Sequence, residues 1–324
     1  MPWTVPADED AIALLDRSIQ QGRLAHAWLL TGPAGVGGLA LAREFAKALL
    51  CDAEQGRPCD ECRQCRRVDS GHHADVMVIS ATGTGSIGIE AARDLQAAAN
   101  LQPYEASGRV IIIDDADTLT REAANALLKV LEEPHPNVTL ILVTANDEAI
   151  LDTIRSRCQI VPLRPIPFDQ VADALRENGA DDDDANRLAK LSGGRLEYAL
   201  SLLADTAPLD ARRAALDEIL AVRGEPVADR LRRAGRMGDD FYADRQRLLG
   251  RLEAWASIWR DALVVAAGSP EDVTDSESLE RVREIGVTLK EAQSALTETL
   301  FTVQALRQNA NARLALESYL LSLP

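Results

Sequence analysis

Long apolar runs are missing from this chain: none approaches the ~18 residues needed to span a bilayer, which excludes an ordinary membrane-spanning helix. The opening Met1-Pro2-Trp3-Thr4-Val5-Pro6 has neither the positive charge nor the apolar core of a signal peptide, so a cytosolic protein is expected. Positive charge is also scarce. Lys plus Arg number 35 against 51 Asp plus Glu, a formal net charge of −16. That balance argues against tight, autonomous binding to nucleic-acid phosphates, which needs a basic footprint. Aromatic residues make up only 4% while hydrophobic residues reach 46%, with Ala and Leu prominent, a composition suited to a helix-rich protein. At 324 residues there is chain enough for two or three domains with real cores.

The most informative absence is local. After the strand-like run Ala27-Trp28-Leu29-Leu30-Thr31 comes Gly32-Pro33-Ala34-Gly35-Val36-Gly37-Gly38-Leu39. Its shape is that of a phosphate-binding loop, G-x-x-x-x-G-K-[ST]. There, glycine amides cradle phosphates, the lysine reaches the β- and γ-phosphates and the hydroxyl binds Mg²⁺. Here Gly38 replaces the lysine and Leu39 the hydroxyl. Gly32, Gly35, Gly37 and Gly38 form a loop remnant without the side chains that hold a magnesium nucleotide. Taken alone, the segment is better read as a glycine-rich turn that merely joins strand to helix.

Periodic and punctuated segments alternate along the chain. Helical spacing runs from Glu9 to Gln21, Leu39 to Leu50, Ile89 to Asn100 and Glu122 to Leu131. Strands are expected at Trp28–Leu30, Asp75–Ile79, Arg109–Asp114 and Val138–Thr144, nearly all apolar, as in a parallel sheet covered on both faces. Strands alternating with helices predict a doubly wound α/β core. Pro162, Pro165 and Pro167 mark an expected boundary, beyond which only helical patterns occur. Breaks are expected at Gly179–Asp184, Thr206-Ala207-Pro208 and Gly268-Ser269-Pro270. The run Asp181–Asp184 reads as a solvated loop or a helix N-terminus. Later helices are expected at Ala211–Leu220, Gln246–Ala266, Leu279–Glu284 and Lys290–Leu323, and their apolar stripes could equally be ordinary bundle core.

Ile111-Ile112-Ile113-Asp114-Asp115-Ala116-Asp117 resembles a Walker B segment, in which a carboxylate at a strand end orients Mg²⁺ and the next acid polarises water. Asp115 is one methylene shorter than the usual glutamate. An acidic strand end is weakly specific by itself. Downstream of a phosphate-loop remnant, in the strand order such proteins use, it becomes persuasive. Cys51, Cys59, Cys62 and Cys65 give C-x7-C-x2-C-x2-C, thiolates able to converge on one tetrahedral, structural Zn²⁺. An iron–sulfur cluster would also suit four thiolates, whereas disulfides are disfavoured in a reducing cytosol. Four cysteines complete a shell, so the adjacent His72 and His73 are expected at the surface.

Ser156-Arg157-Cys158 follows Ile150-Leu151-Asp152-Thr153-Ile154-Arg155, and a lone arginine here is usually a surface ion-pair partner. With Ala123 to Pro134 (AANALLKVLEEP) and the strand ending at Thr144, this segment closely resembles the clamp-loader group of AAA+ proteins. The resemblance covers roughly Ala11 to Leu203 with specific motifs. It implies that Arg157, supported by Ser156, acts as an arginine finger on ATP held by a neighbouring subunit, with Cys158 simply packed. In Gly194-Arg195-Leu196-Glu197-Tyr198-Ala199-Leu200, which resembles the sensor 2 stretch, Glu197 stands where an ATP-binding member has arginine. The losses at Gly38, Leu39 and Glu197, with the opening Met-x-Trp and the cysteine insert, resemble a non-hydrolysing member. The ATP-hydrolysing gamma/tau subunits keep the lysine and hydroxyl, although they share a similar zinc module.

The resemblance implies an α/β domain over residues 1–164 with a zinc module at about 51–65. A helical lid over 165–205 and a helical collar over 206–324, which joins subunits, complete the implied architecture. No ATP binding by this chain and no intrinsic activity are implied. The implied partners are gamma/tau and delta subunits, with the sliding clamp and primed DNA reached through the complex. Two other readings compete: an autonomous ATPase with an atypical phosphate loop, and a zinc-dependent nucleic-acid-binding module.

Overall fold

A computed structural model describes residues 3–81, 85–205, 207–308 and 310–324. Met1 of the Met-x-Trp opening and Thr206 of an expected break lie outside the described residues. The chain divides into two units, Met1–Gly179 with Gly194–Ala199, and Ala180–Gly193 with Leu200–Pro324.

In the first unit the order is α1 (Glu9–Gln20), β1 (Ala27–Thr31), α2 (Gly38–Leu50), α3 (Arg63–Asp69), β2 (Val76–Ile79), α4 (Ile89–Ala99), β3 (Arg109–Ile113), α5 (Arg121–Glu132), β4 (Val138–Thr144), α6 (Asp152–Arg155), β5 (Gln159–Pro162) and α7 (Phe168–Glu177). The strands make one sheet in the order β2-β3-β4-β1-β5, parallel throughout. Every residue of β3 is buried, as an apolar strand covered on both faces must be. Side chains alternate between the two faces. Trp28, Leu30, Ile112 and Val143 pack with Leu41 and Phe45 of α2, and Trp28 meets Phe45 edge-on at 5.2 Å. On the opposite face Leu29, Ile111 and Leu142 pack with Leu95 of α4 and Leu127 of α5. Because β1 lies between β4 and β5, the loop after it opens at the carboxyl edge of the sheet's interior, where α/β folds place ligands.

The second unit is helical, with α8 (Asp182–Ser192), the end of α9 (Leu196–Ala204), α10 (Ala207–Gly224), α11 (Val227–Ala243), α12 (Arg245–Ala266), α13 (Leu279–Glu284), α14 (Leu289–Arg307) and α15 (Ala312–Ser322). Its core gathers Leu252, Trp255, Trp259, Leu316 and Tyr319. Inside it Arg212 reaches the fully buried Asp261 at 2.7 Å. Asp261 also accepts from the backbone N–H and hydroxyl of Thr274 at 2.8 and 2.7 Å, so the buried charge is fully engaged.

One expectation needs correction, and the sequence pattern does not single out other elements, β5 and α11 among them. Lys290–Leu323 is two helices, not one: Asn311 accepts from Leu314 N–H at 3.1 Å and starts α15, the capping role for which asparagine is suited. The strand β5 escaped notice because it is short and only Val161 in it is buried. The helix α11 escaped because its Arg- and Asp-rich sequence buries only Ala234, Met237, Gly238 and Phe241. The Asp181–Asp184 run is a helix N-terminus: Asp181 caps α8 by accepting from Asp184 N–H at 2.8 Å. Among the described residues no helix is long and apolar enough to cross a membrane.

Candidate functional site

The glycine loop leaves β1 at Gly32, whose N–H donates to Thr144 O of β4 at 3.2 Å. It enters α2 at Gly37, which has a φ of +99° that glycine adopts without strain. Gly38 is buried, and a Cβ there would lie 2.6 Å from Val143 Cγ1. Val143 thus occupies the space through which a lysine side chain would have to leave the backbone. Gly35, with φ +77°, accepts at its carbonyl from Tyr198 N–H at 3.1 Å, and a Cβ on it would approach Tyr198 Cβ to 2.7 Å. The Arg195 guanidinium covers the Tyr198 ring at 4.5 Å. The segment resembling sensor 2 therefore lies directly against the loop remnant.

Acids line the same region. Asp114 follows β3 and keeps its register, donating its N–H to Ile79 O at 2.8 Å. Burial raises its carboxyl above the usual range, and the charges of Glu197 and Asp117 add to this, against the Asp115 N–H and Arg43. Asp115 has φ +50°, left-handed backbone that aspartate tolerates better than most residues. Its carboxyl is likewise raised, by burial and then by Asp114 and Asp117. Asp117 accepts from Thr144 Oγ1 at 2.8 Å, linking the ends of β3 and β4. Glu197 and Asp114 thus lie near the loop glycines, in a region of net negative charge.

Arg157 sits between α6 and β5. Its Nη1 donates to Thr153 O at 2.8 Å and approaches Ser156 Oγ at 3.5 Å, while Nη2 donates to Glu132 Oε1 at 2.9 Å. Cys158 packs against the core face shared by α4 and α5, and burial pushes its thiol up to about 12, which keeps it unreactive at neutral pH.

The four-cysteine cluster lies at the far end of α2 from the glycine loop. Thirteen residues separate these ends, about 20 Å at 1.5 Å per residue, so the cluster forms no part of the loop site. The sulfurs of Cys51, Cys59, Cys62 and Cys65 all lie within 4.8 Å of one another, a set that could hold a metal ion. Backbone N–H groups point at them: Ala53 to Cys51 at 3.5 Å, Cys62 to Cys59 and Cys65 to Cys62 at 3.4 Å each. Burial pushes the Cys62 thiol up, but the N–H groups of Cys65 and Asp52 and the adjoining thiols outweigh it, bringing it to about 7. This donor set and spacing fit zinc. The cluster is braced by Lys47, buried on α2, which pairs with Glu44 and Asp60 at 2.8 Å and with Asp69 at 2.9 Å. His72 is exposed as expected, but His73 is not. It is buried, bonded to Gln64 Oε1 at 2.9 Å and accepting from Asp75 N–H at 3.0 Å, and stays outside the cluster.

Val143, Glu132 and Lys47 are the consequential residues that the sequence reading passed over. Val143 carries no local signal, because only the sheet register brings it to Gly38. Glu132 was visible within the LLKVLEEP segment but not its pairing with Arg157. A glycine loop between a central strand and a helix, an acidic end on β3 and this strand order define an AAA+ type of α/β domain. The family described as "DNA polymerase III, delta subunit" matches residues 7–167. DNA polymerase III subunit delta' of Bacillus subtilis (strain 168) is 29% identical over 315 residues, 96% of this chain and 94% of that protein. The delta' subunit of Escherichia coli (strain K12) is 35% identical over 204 residues, 62% of this chain and 60% of that one. The tau/gamma subunit of Haemophilus influenzae (strain ATCC 51907 / DSM 11121 / KW20 / Rd) is 34% identical over 205 residues, but only 30% of its length is spanned. This chain belongs to the delta-prime family of DNA polymerase III subunits.

Proposed function

We propose that this chain works in a DNA polymerase III clamp loader as a subunit that holds no ATP and hydrolyses none. It caps one end of the ATPase arc, beside a gamma/tau subunit, and presents Arg157 to the ATP bound there. The delta subunit would do most of the clamp opening. ATP binding favours an assembly that opens the sliding clamp, and hydrolysis on primed DNA releases it. DNA is reached through the complex, consistent with a net charge of −16. Residues 165–205 serve as the lid and 206–324 as the collar that joins subunits. Zinc held by Cys51, Cys59, Cys62 and Cys65 closes the insert as a structural centre. The work takes place in the cytosol.

The observation that carries this reading is the 2.6 Å between a Cβ on Gly38 and Val143 Cγ1. A pocket in that state has lost more than two side chains; the space for the lysine is occupied. Glu197 and Asp114 add negative charge where phosphates would have to sit. Arg157, by contrast, keeps its guanidinium at the surface, and an arginine brought to the γ-phosphate of another subunit stabilises transition-state charge, an effect of about 10³–10⁵ in rate.

The test compares clamp loaders reconstituted with wild-type chain or Arg157→Ala, after both are shown to assemble. A large fall in DNA- and clamp-stimulated ATP turnover is expected. Unchanged turnover would reduce Arg157 to a structural residue and the chain to a scaffold.

A further inference from the structure

We infer that Glu132 is a counter-charge that holds Arg157 within its own subunit and has to release it before the arginine acts on a neighbour's nucleotide. The inference rests on the arginine-finger reading above. A guanidinium touching a carboxylate at 2.9 Å presents little net charge to a third group, because a phosphate a few ångströms away feels both partners. Opened, the same guanidinium presents a full unit charge. The Glu132–Arg157 pair therefore sets how much of the finger's charge crosses the subunit boundary.

Two features of the pair suit it to opening. Both side chains are partly exposed, 36% for Arg157 and 53% for Glu132, so water can take over either partner. The fully buried Asp261 bound to Arg212 has no such freedom. The other side of the guanidinium is held without charge, by Thr153 O at 2.8 Å. Release from Glu132 frees Nη2 while Nη1 stays anchored, so the arginine turns rather than being lost to solvent. Helix stability does not account for Glu132. It ends α5, where a carboxylate meets the negative end of the helix dipole.

The experiment titrates ATP against clamp loaders reconstituted with the full chain as wild type, Glu132→Gln, Arg157→Ala or the double variant. Glutamine keeps an oxygen to accept from Nη2 but removes the charge. Glu132→Gln should lower the half-saturating ATP concentration about 1.4- to 5-fold, the 0.2–1 kcal/mol of an exposed pair converted at 1.36 kcal/mol per decade. That shift should exceed any change in maximal turnover, and the double variant should match Arg157→Ala. A half-saturating concentration that stays put or rises in Glu132→Gln, with Arg157→Ala still defective, overturns the counter-charge and leaves the finger standing. Full activity in Arg157→Ala overturns both.

Discussion

Gly38→Ala is the smallest step back toward a side chain at the lysine position, and its consequence is calculable. The new methyl would lie 2.6 Å from Val143 Cγ1 and 3.5 Å from Leu163 Cδ1. Carbon atoms pack best at about 3.5–4.0 Å, so the second contact is ordinary and the first is overpacked by roughly 1 Å. Overpacking of this kind costs about 1–3 kcal/mol. Replacing a helical glycine by alanine gains about 0.5–1 kcal/mol, leaving a net loss of about 0–2.5 kcal/mol. Val143→Ala alone removes two buried carbons, about 1.6 kcal/mol at ~0.8 per methylene, with a cavity contribution on top. In the double variant the new methyl enters the space that Val143 vacated, and both costs shrink. A double-mutant cycle should therefore return a favourable coupling of about 1–3 kcal/mol. Urea unfolding of the four proteins measures it, from midpoints at constant m. Additivity within about 0.5 kcal/mol would show that Val143 does not fill the lysine's space and would refute the reasoning.

Two further outcomes follow from the polar groups at the edge of the sheet and at the insert. Asp75 is fully buried and accepts from the N–H groups of Tyr104, Glu105 and Ala106 and from Arg109. Burial pushes its carboxyl up, but these donors outweigh it and hold it below the usual range. In the window beneath the ordinary value of about 3.9 the unfolded chain binds more protons, so stability there rises with pH. The contribution of Asp75 is complete above about pH 4 and lost as pH falls through the depressed value. Asp75→Asn should lose about 3–5 kcal/mol at pH 7 by leaving Arg109 without its anion, and should flatten the acid limb. Equal acid limbs for both proteins in urea unfolding between about pH 2.5 and 6 would contradict this assignment. At the insert, Co²⁺ added to metal-stripped protein should give the visible absorption of a tetrahedral four-thiolate centre, abolished in Cys65→Ser. A spectrum unchanged by Cys65→Ser would remove the four-thiolate assignment.

The sheet was largely legible because burial on both faces leaves unbroken apolar runs. Arg109–Ile113 and Val138–Thr144 announce themselves. An edge strand such as Gln159–Pro162 does not, since one covered residue imposes no pattern. Helix existence was clearer than helix ends. The stop inside Lys290–Leu323 depends on Asn311 acting as a cap, and asparagine in a sequence does not say whether it caps or continues a helix. At the site, residues joined by short spacing were readable: the glycine loop, the paired acids, the cysteine set. Contacts made by folding were not. Glu132 and Arg157 are 25 positions apart, Lys47 and Asp69 22, and no spacing rule links them.

On the proposed reading, the close contacts at the loop and the acids beside it have one physical cause. In a phosphate-binding loop, bound phosphates fill space, accept from backbone N–H groups and balance cations. Take the nucleotide away, and close packing requires that other atoms fill the volume. Val143 and Tyr198 press on the loop here, one against Gly38 and one against Gly35. No such substitution is available for charge. Asp114 and Asp115 remain, and their carboxyls rise above the usual range, by burial first and then by neighbouring acids, Glu197 and Asp117 for Asp114 and Asp114 and Asp117 for Asp115. On the proposed reading, packing compensates while electrostatics does not, and an incoming triphosphate would be opposed on both counts. Arg157 is spared that conflict, because its charge is met by Glu132 at a partly exposed site that another anion can enter. On the function proposed above, the same unit would keep phosphate out of its own loop and offer a cation to a phosphate held elsewhere.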